Sequence, residues 1–257
     1  GALCCTGSDD GGAERAWRAA KPEQLRQLNL DNWRVAMNGS EPIRASTIAD
    51  FNATFGPVGF SPSAWACVFG LAENCLFVCG RAERVPTLMV DRGQLGVGDA
   101  PMPQRAPLGD HVLEACGHYI VPYDVCGNRV AIVHNETRHI LPDGTVGEIW
   151  LSGDSVAAGY WDLPELSEET FRARALKGPV AAYNNMAWLR TGDLGFLWES
   201  RLYIVGRIKD VLTMKGRTLH AHDIEVCAEA GASLLRPGCS AAFPITAEGG
   251  EDTLCLI

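Results

Sequence analysis

Two short motifs, Thr191-Gly192-Asp193 and Gly206-Arg207-Ile208-Lys209-Asp210, lie twelve residues apart between strand-like apolar runs, Trp188-Leu189 on one side and Leu202-Tyr203-Ile204-Val205 on the other. Gly192 permits a tight turn and leaves Asp193 pointing out of a sheet. A carboxylate placed there accepts hydrogen bonds from two vicinal hydroxyls, and Arg207 donates in a fork to phosphate or ribose oxygens. The triplet by itself also occurs in ordinary hairpin turns. The pair at this spacing is far more restrictive, because it demands a sheet carrying a carboxylate and a fixed cation about one hairpin apart.

Three further segments stand upstream in fixed order. Trp33-Arg34-Val35-Ala36-Met37-Asn38-Gly39-Ser40-Glu41-Pro42-Ile43 is a compact apolar strand closed by a turn. Val68-Phe69-Gly70-Leu71-Ala72-Glu73 ends an apolar run on a lone carboxylate, which without a cation would be costly to bury. Gly147-Glu148-Ile149-Trp150-Leu151-Ser152-Gly153-Asp154-Ser155-Val156-Ala157-Ala158-Gly159-Tyr160-Trp161 completes the set. Together these segments resemble the adenylate-forming superfamily of acyl-CoA ligases, peptide-synthetase adenylation domains and luciferases. Ala72 before Glu73 and the Asn38–Pro42 run are similar to the fatty acyl-AMP ligase branch.

The resemblance implies an α/β fold: a parallel-sheet subdomain, a small β-barrel subdomain and the start of a mobile C-terminal α+β domain. Residues 1–208 would be the second half of the large AMP-binding domain, and residues 209–257 the hinge and the truncated beginning of the small domain. It also implies roles. Asn38, Gly39, Ser40, Glu41 and Pro42 would cradle adenine, mainly by backbone, with Gly70, Leu71 and Ala72 beside them. Phe69 would stack on the base, although a core phenylalanine is the plain alternative. Glu73 would ligate Mg2+, which prefers hard carboxylate oxygen. Asp193 and Arg207 would clamp the ribose. Lys209 would sit at the interdomain hinge, and Lys215 and Gly216 on the next turn, near ATP or a threaded pantetheine, with a solvated hairpin as the alternative.

The implied chemistry is ATP-dependent activation of a fatty acid to an acyl-adenylate. Transfer would go to an acyl carrier protein or polyketide synthase module; an acyl-CoA ligase of the same fold and a non-catalytic adenylate-binding scaffold are the alternatives. Thr218-Leu219-His220-Ala221-His222 departs from the branch's usual pattern and leaves the acceptor open. Family members also use a Ser/Thr/Gly-rich phosphate loop and a late lysine that have no counterpart here, so the 257-residue chain alone is expected to be inactive. Residues 1–18 match no family pattern, residues 1–20 are expected to be a flexible segment, and Thr6-Gly7-Ser8-Asp9-Asp10-Gly11-Gly12 reads as flexible linker.

Composition narrows the partners. A net charge of −9 with pI near 5.2 leaves no basic stripe for nucleic acid. No apolar run reaches the length of a membrane span, since Glu73 and Asn74 interrupt the best stretch, and no leader signal opens the chain, so a cytoplasmic location is expected. Ten cysteines lack metal or redox spacing, and Cys75 and Cys79 read as small buried thiols. His220-Ala221-His222-Asp223 reads as a polar loop rather than a metal site. The patterning predicts helices over 22–30, 45–55 with Ser46 as N-cap, and 166–176. Strands are predicted over 33–37, 66–69, 127–133 and 147–151, the last two joined by Leu141-Pro142-Asp143-Gly144.

Overall fold

In a computed structural model of the chain, the described residues are 4–8, 10–41, 43–83, 87–90, 94–100, 104–105, 112–114, 128–176, 183, 186–214, 217–232, 234–236, 238–246 and 252–257. The first half is built from β1 (Cys4–Ser8), α1 (Asp10–Ala19), α2 (Pro22–Leu25), β2 (Trp33–Asn38), α3 (Ala45–Phe55), β3 (Trp65–Leu71) and β4 (Leu76–Ala82). β1, β2 and β3 pair in parallel, and β4 closes the edge antiparallel to β3, in the order β1-β2-β3-β4. Three short strands follow, β5 (Thr87–Met89), β6 (Gln104–Arg105) and β7 (Val112–Glu114), in the order β6-β5-β7.

The second sheet contains β8 (Arg129–Val133), β9 (Gly147–Ser152), β10 (Leu189–Trp198) and β11 (Arg201–Arg207), with α4 (Pro164–Phe171) between β9 and β10. Its order is β11-β10-β9-β8, every pair antiparallel. The expected barrel is therefore not closed among the described residues; these strands form an open sheet. Two hairpins end the chain, β12 (Val211–Met214) with β13 (Arg217–His220) and β14 (Ala242–Thr246) with β15 (Asp252–Leu256), separated by α5 (Ala221–Gly231). No described helix is long and apolar enough to cross a membrane.

The apolar spacing on α3 explains the first layer. Thr47, Ile48, Phe51 and Phe55 are buried, and Phe51 meets Phe60 and Trp65 edge to face, with ring centroids 5.0 and 4.9 Å apart. Such pairs each add about 0.5–1.5 kcal/mol beyond their burial. A second cluster joins the two sheets: Phe69, Val78 and Cys79 from the first pack with Ile149, Leu151, Leu189 and Leu202 from the second, and Phe171 of α4 seals it. That packing places Phe69, near the C-terminal end of β3, against the second sheet.

Several expectations are corrected. Residues 1–20 are not a linker throughout, because β1 adds to the sheet and α1 follows it. The reason is nonlocal: Asp10, 1% exposed, accepts from Asn38 Nδ2 at 3.1 Å and from Thr47 Oγ1 at 2.9 Å. α2 stops at Leu25, and α4 ends at Phe171 rather than 176. The N-cap of α3 is Arg44, in extended conformation and without a side-chain cap bond, not Ser46. Cys79 is buried as expected but Cys75 is exposed, at φ 55° in the turn between β3 and β4. His220 ends β13 and residues 221–223 begin α5, so this tetrad is a strand–helix junction and not a loop.

Candidate functional site

Thr191-Gly192-Asp193 is not the tip of a hairpin. It lies inside β10, where the register against β9 shifts between Arg190 and Leu194 and Gly192 takes φ 72°. A glycine in that bulge lets the strand bend without a Cβ penalty. The true hairpin tip is Glu199-Ser200, both residues at positive φ, as a two-residue turn of matching twist requires. Asp193 is consequently held in cross-strand register with Arg207, and Arg207 Nε donates to Asp193 Oδ1 at 3.1 Å.

The bulge is fixed from beneath. Thr191 Oγ1 donates to the Ile149 carbonyl at 2.7 Å and accepts the Asp193 N–H at 3.0 Å. Glu148, only 1% exposed, accepts from the Gly192 N–H at 3.2 Å and pairs with Arg190, whose Nη2 lies 3.1 Å from Oε2. Sequence reasoning gave no role to Glu148, Arg190 or Thr191. The available signal was a single carboxylate inside the apolar run Gly147–Leu151, since buried charge requires a partner.

Glu73 sits in the single 3-10 turn Ala72–Asn74 that follows β3. Its Oε1 accepts from the Tyr160 hydroxyl at 2.8 Å, and its carbonyl accepts the Ala157 N–H at 2.8 Å. Asp193 is 7% exposed, and burial pushes its carboxyl up to about 6. Arg207 opposes that rise, whereas the charges of Glu73 and Asp210 add to it. Asp193 therefore feels the charges of Arg207, Glu73 and Asp210 together, and it is Arg207 that touches it. No group of three metal-ligating side chains occurs among the described residues, so a cation here would be held by Glu73 together with the oxygens of a bound phosphate, as Mg2+ commonly is.

The other expected residues fall around this cluster. Asn38 ends β2 with no exposed surface, and its Nδ2 is turned to Asp10 rather than to the cleft. Gly39 abuts β3: a Cβ there would stand 2.5 Å from the Val68 carbonyl oxygen. Ser40 is exposed at φ 71°, and Glu41 accepts the Gly11 N–H at 2.5 Å, in the first turn of α1. Gly70 and Leu71 end β3 half-buried, and Ala72 is exposed. Phe69 is 8% exposed and belongs to the cluster between the sheets, so its ring is largely enclosed by aliphatic side chains. Lys209 is exposed in the 3-10 turn Ile208–Asp210 that links β11 to β12. Pro42, Lys215 and Gly216 lie outside the described residues.

The turns after β2 and β3 lie at the C-terminal ends of parallel strands, where open α/β sheets place their sites. The model of the AMP-binding enzyme family matches residues 12–161. The chain belongs to that family. It is 38% identical over 232 residues to the long-chain-fatty-acid–AMP ligase FadD32 of Mycolicibacterium smegmatis, covering 86% of this chain and 35% of that protein. It is 36% identical over 242 residues to the medium-chain-fatty-acid–[acyl-carrier-protein] ligase JamA of Moorena producens, covering 93% and 39%. Among solved structures, a fatty acyl-adenylate ligase from L. pneumophila in complex with acyl adenylate and pyrophosphate superposes with TM-score 0.66 at 31% identity, over 97% of this chain and 42% of that one. The chain thus spans well under half the length of these relatives. The AMP-binding match runs through α1, β2, β3 and the turn bearing Glu73, and ends at Trp161, upstream of Asp193 and Arg207.

Proposed function

We propose that the full-length protein carrying this chain activates a fatty acid with ATP and passes the acyl group to an acyl carrier protein. The carboxylate oxygen forms a bond to the α-phosphorus of ATP, and the bond from that phosphorus to the bridging oxygen breaks, releasing pyrophosphate. The carrier thiol, free or within a polyketide synthase module, then attacks the acyl carbonyl and releases AMP. The observation that carries this reading is the shared neighbourhood of Glu73 with the Asp193–Arg207 pair, on elements that come together only through the packing of two sheets.

In this reading Asp193 accepts from the ribose hydroxyls and Arg207 donates to ribose or phosphate oxygens, holding the nucleotide in register. The 38–41 turn and the Phe69–Ala72 segment border the base. Glu73 would hold Mg2+, which would supply positive charge against the phosphate oxygens. Lys209, in its one-turn link, is the point about which the C-terminal segment swings. A cytoplasmic setting belongs to the same proposal, since the reaction consumes ATP.

The test is fatty-acid-dependent ATP–pyrophosphate exchange by the full-length protein, followed by acyl transfer to carrier protein and to CoA in parallel. Exchange with preferential carrier loading supports the proposal. Efficient acylation of free CoA overturns the acceptor, and absence of exchange overturns the activity.

A further inference from the structure

The loop from Gly153 to Tyr160 is stitched to the turn bearing Glu73 at three places. The Ala157 N–H donates to the Glu73 carbonyl at 2.8 Å, the Ser155 hydroxyl lies 3.4 Å from Asn74 Oδ1, and the Tyr160 hydroxyl donates to Glu73 Oε1 at 2.8 Å. Tyr160 is itself held in place. Its N–H donates to Ser167 Oγ at 2.8 Å, and its ring stands edge to face on the buried Phe171, centroids 5.0 Å apart. The hydroxyl is thus a fixed donor on a rigid platform, aimed at one of the two carboxylate oxygens. The Tyr160 bond engages Oε1 and leaves Oε2 to other partners.

We infer that Tyr160 is a positioning residue that makes Glu73 a one-oxygen metal ligand and so favours Mg2+ over Ca2+. The inference rests on the proposed role of Glu73. A phenol donating to a carboxylate makes a charge-assisted bond that restrains the group's rotation. With Oε1 occupied, Oε2 remains for the cation. Mg2+ demands near-octahedral geometry and takes few protein carboxylates, whereas Ca2+ accepts bidentate carboxylates in flexible, larger shells. Removing the hydroxyl frees Glu73 to turn or to chelate with both oxygens, which penalises Mg2+ more than Ca2+. Donors behind a metal-bound carboxylate commonly control affinity in this way.

The experiment uses the full-length protein saturated with α,β-methylene ATP. Bound Mn2+ is read by electron paramagnetic resonance and displaced with Mg2+ or with Ca2+. Tyr160→Phe, which keeps the ring on Phe171, is expected to raise the Mg2+ needed for half-displacement about 10-fold, with a smaller change for Ca2+. Ser167→Ala loosens the loop but retains the hydroxyl, and should leave the Mg2+/Ca2+ ratio unchanged. An unchanged ratio in Tyr160→Phe, or an equal shift in Ser167→Ala, overturns the inference while the proposed function stands. Glu73→Gln separates the two: if it leaves Mn2+ binding intact, Glu73 is no ligand, and the metal reading fails together with this inference.

Discussion

On the parallel-sheet wall of the proposed nucleotide site, Asn38 and Glu41 engage Asp10 and Gly11 of α1, so in this reading the 38–41 turn offers the nucleotide its backbone. On the antiparallel wall, Asp193 and Arg207 present side chains, and the backbone beneath them is locked by Thr191 and Glu148. The difference separates two ways of holding a nucleotide. A backbone surface tolerates changes in its side chains provided the turn keeps its path; a side-chain clamp fails at single atoms. Substitutions on the first wall should therefore act on stability, and those on the second on binding, unless they reach the buried network below.

The largest expected effect is at that network. Arg190→Ala leaves Glu148, 1% exposed, without its cation, and should cost about 3–5 kcal/mol of folding stability by denaturant titration. A loss under about 1 kcal/mol would mean that the pair behaves as a surface salt bridge. Next is the pH profile. The Asp193 carboxyl is raised from 3.8 to about 6, so the folded chain keeps its proton longer than the unfolded one. Its contribution to stability is full below pH 4 and is lost as pH rises through 6, amounting to about 3 kcal/mol. Asp193→Asn should remove that slope. Nucleotide affinity should move the opposite way, tightening as pH rises through 6, because ribose hydroxyls donate to the ionised form.

Asp193→Ala should weaken ATP binding by the full-length protein by about 1.5–3 kcal/mol through loss of charged hydrogen bonds, read by calorimetry. Unchanged affinity would remove Asp193 from the site. The smallest effects belong to the first wall. Thr47→Ala removes one hydrogen bond to Asp10 and should cost about 1 kcal/mol of stability with nucleotide affinity unchanged. A matching loss of affinity would show that the two walls are not separable in this way.

What could be read from the chain was what is local. The apolar run ending at Glu73, the strand from Gly147 and the Ile48, Phe51 and Phe55 face of α3 all carry their pattern within a few residues. α1 was missed because its anchor, Asp10, is satisfied by residues 28 and 37 positions away, and two glycines beside an aspartate pair read locally as linker. The bulge at Gly192 was missed because a glycine turn and a glycine bulge share one local pattern, and only pairing with β9 distinguishes them. The role of Tyr160 is not legible from its own motif, since its partner is 87 residues away.

The central claim is that one nucleotide is gripped jointly from both walls. A crystal structure of the full-length protein with a non-hydrolysable acyl-adenylate analogue tests it. The account predicts both ribose hydroxyls about 3 Å from the Asp193 carboxylate, with the base against the 38–41 turn and the Phe69–Ala72 segment. An adenylate bound with its ribose away from Asp193 and Arg207 would contradict it.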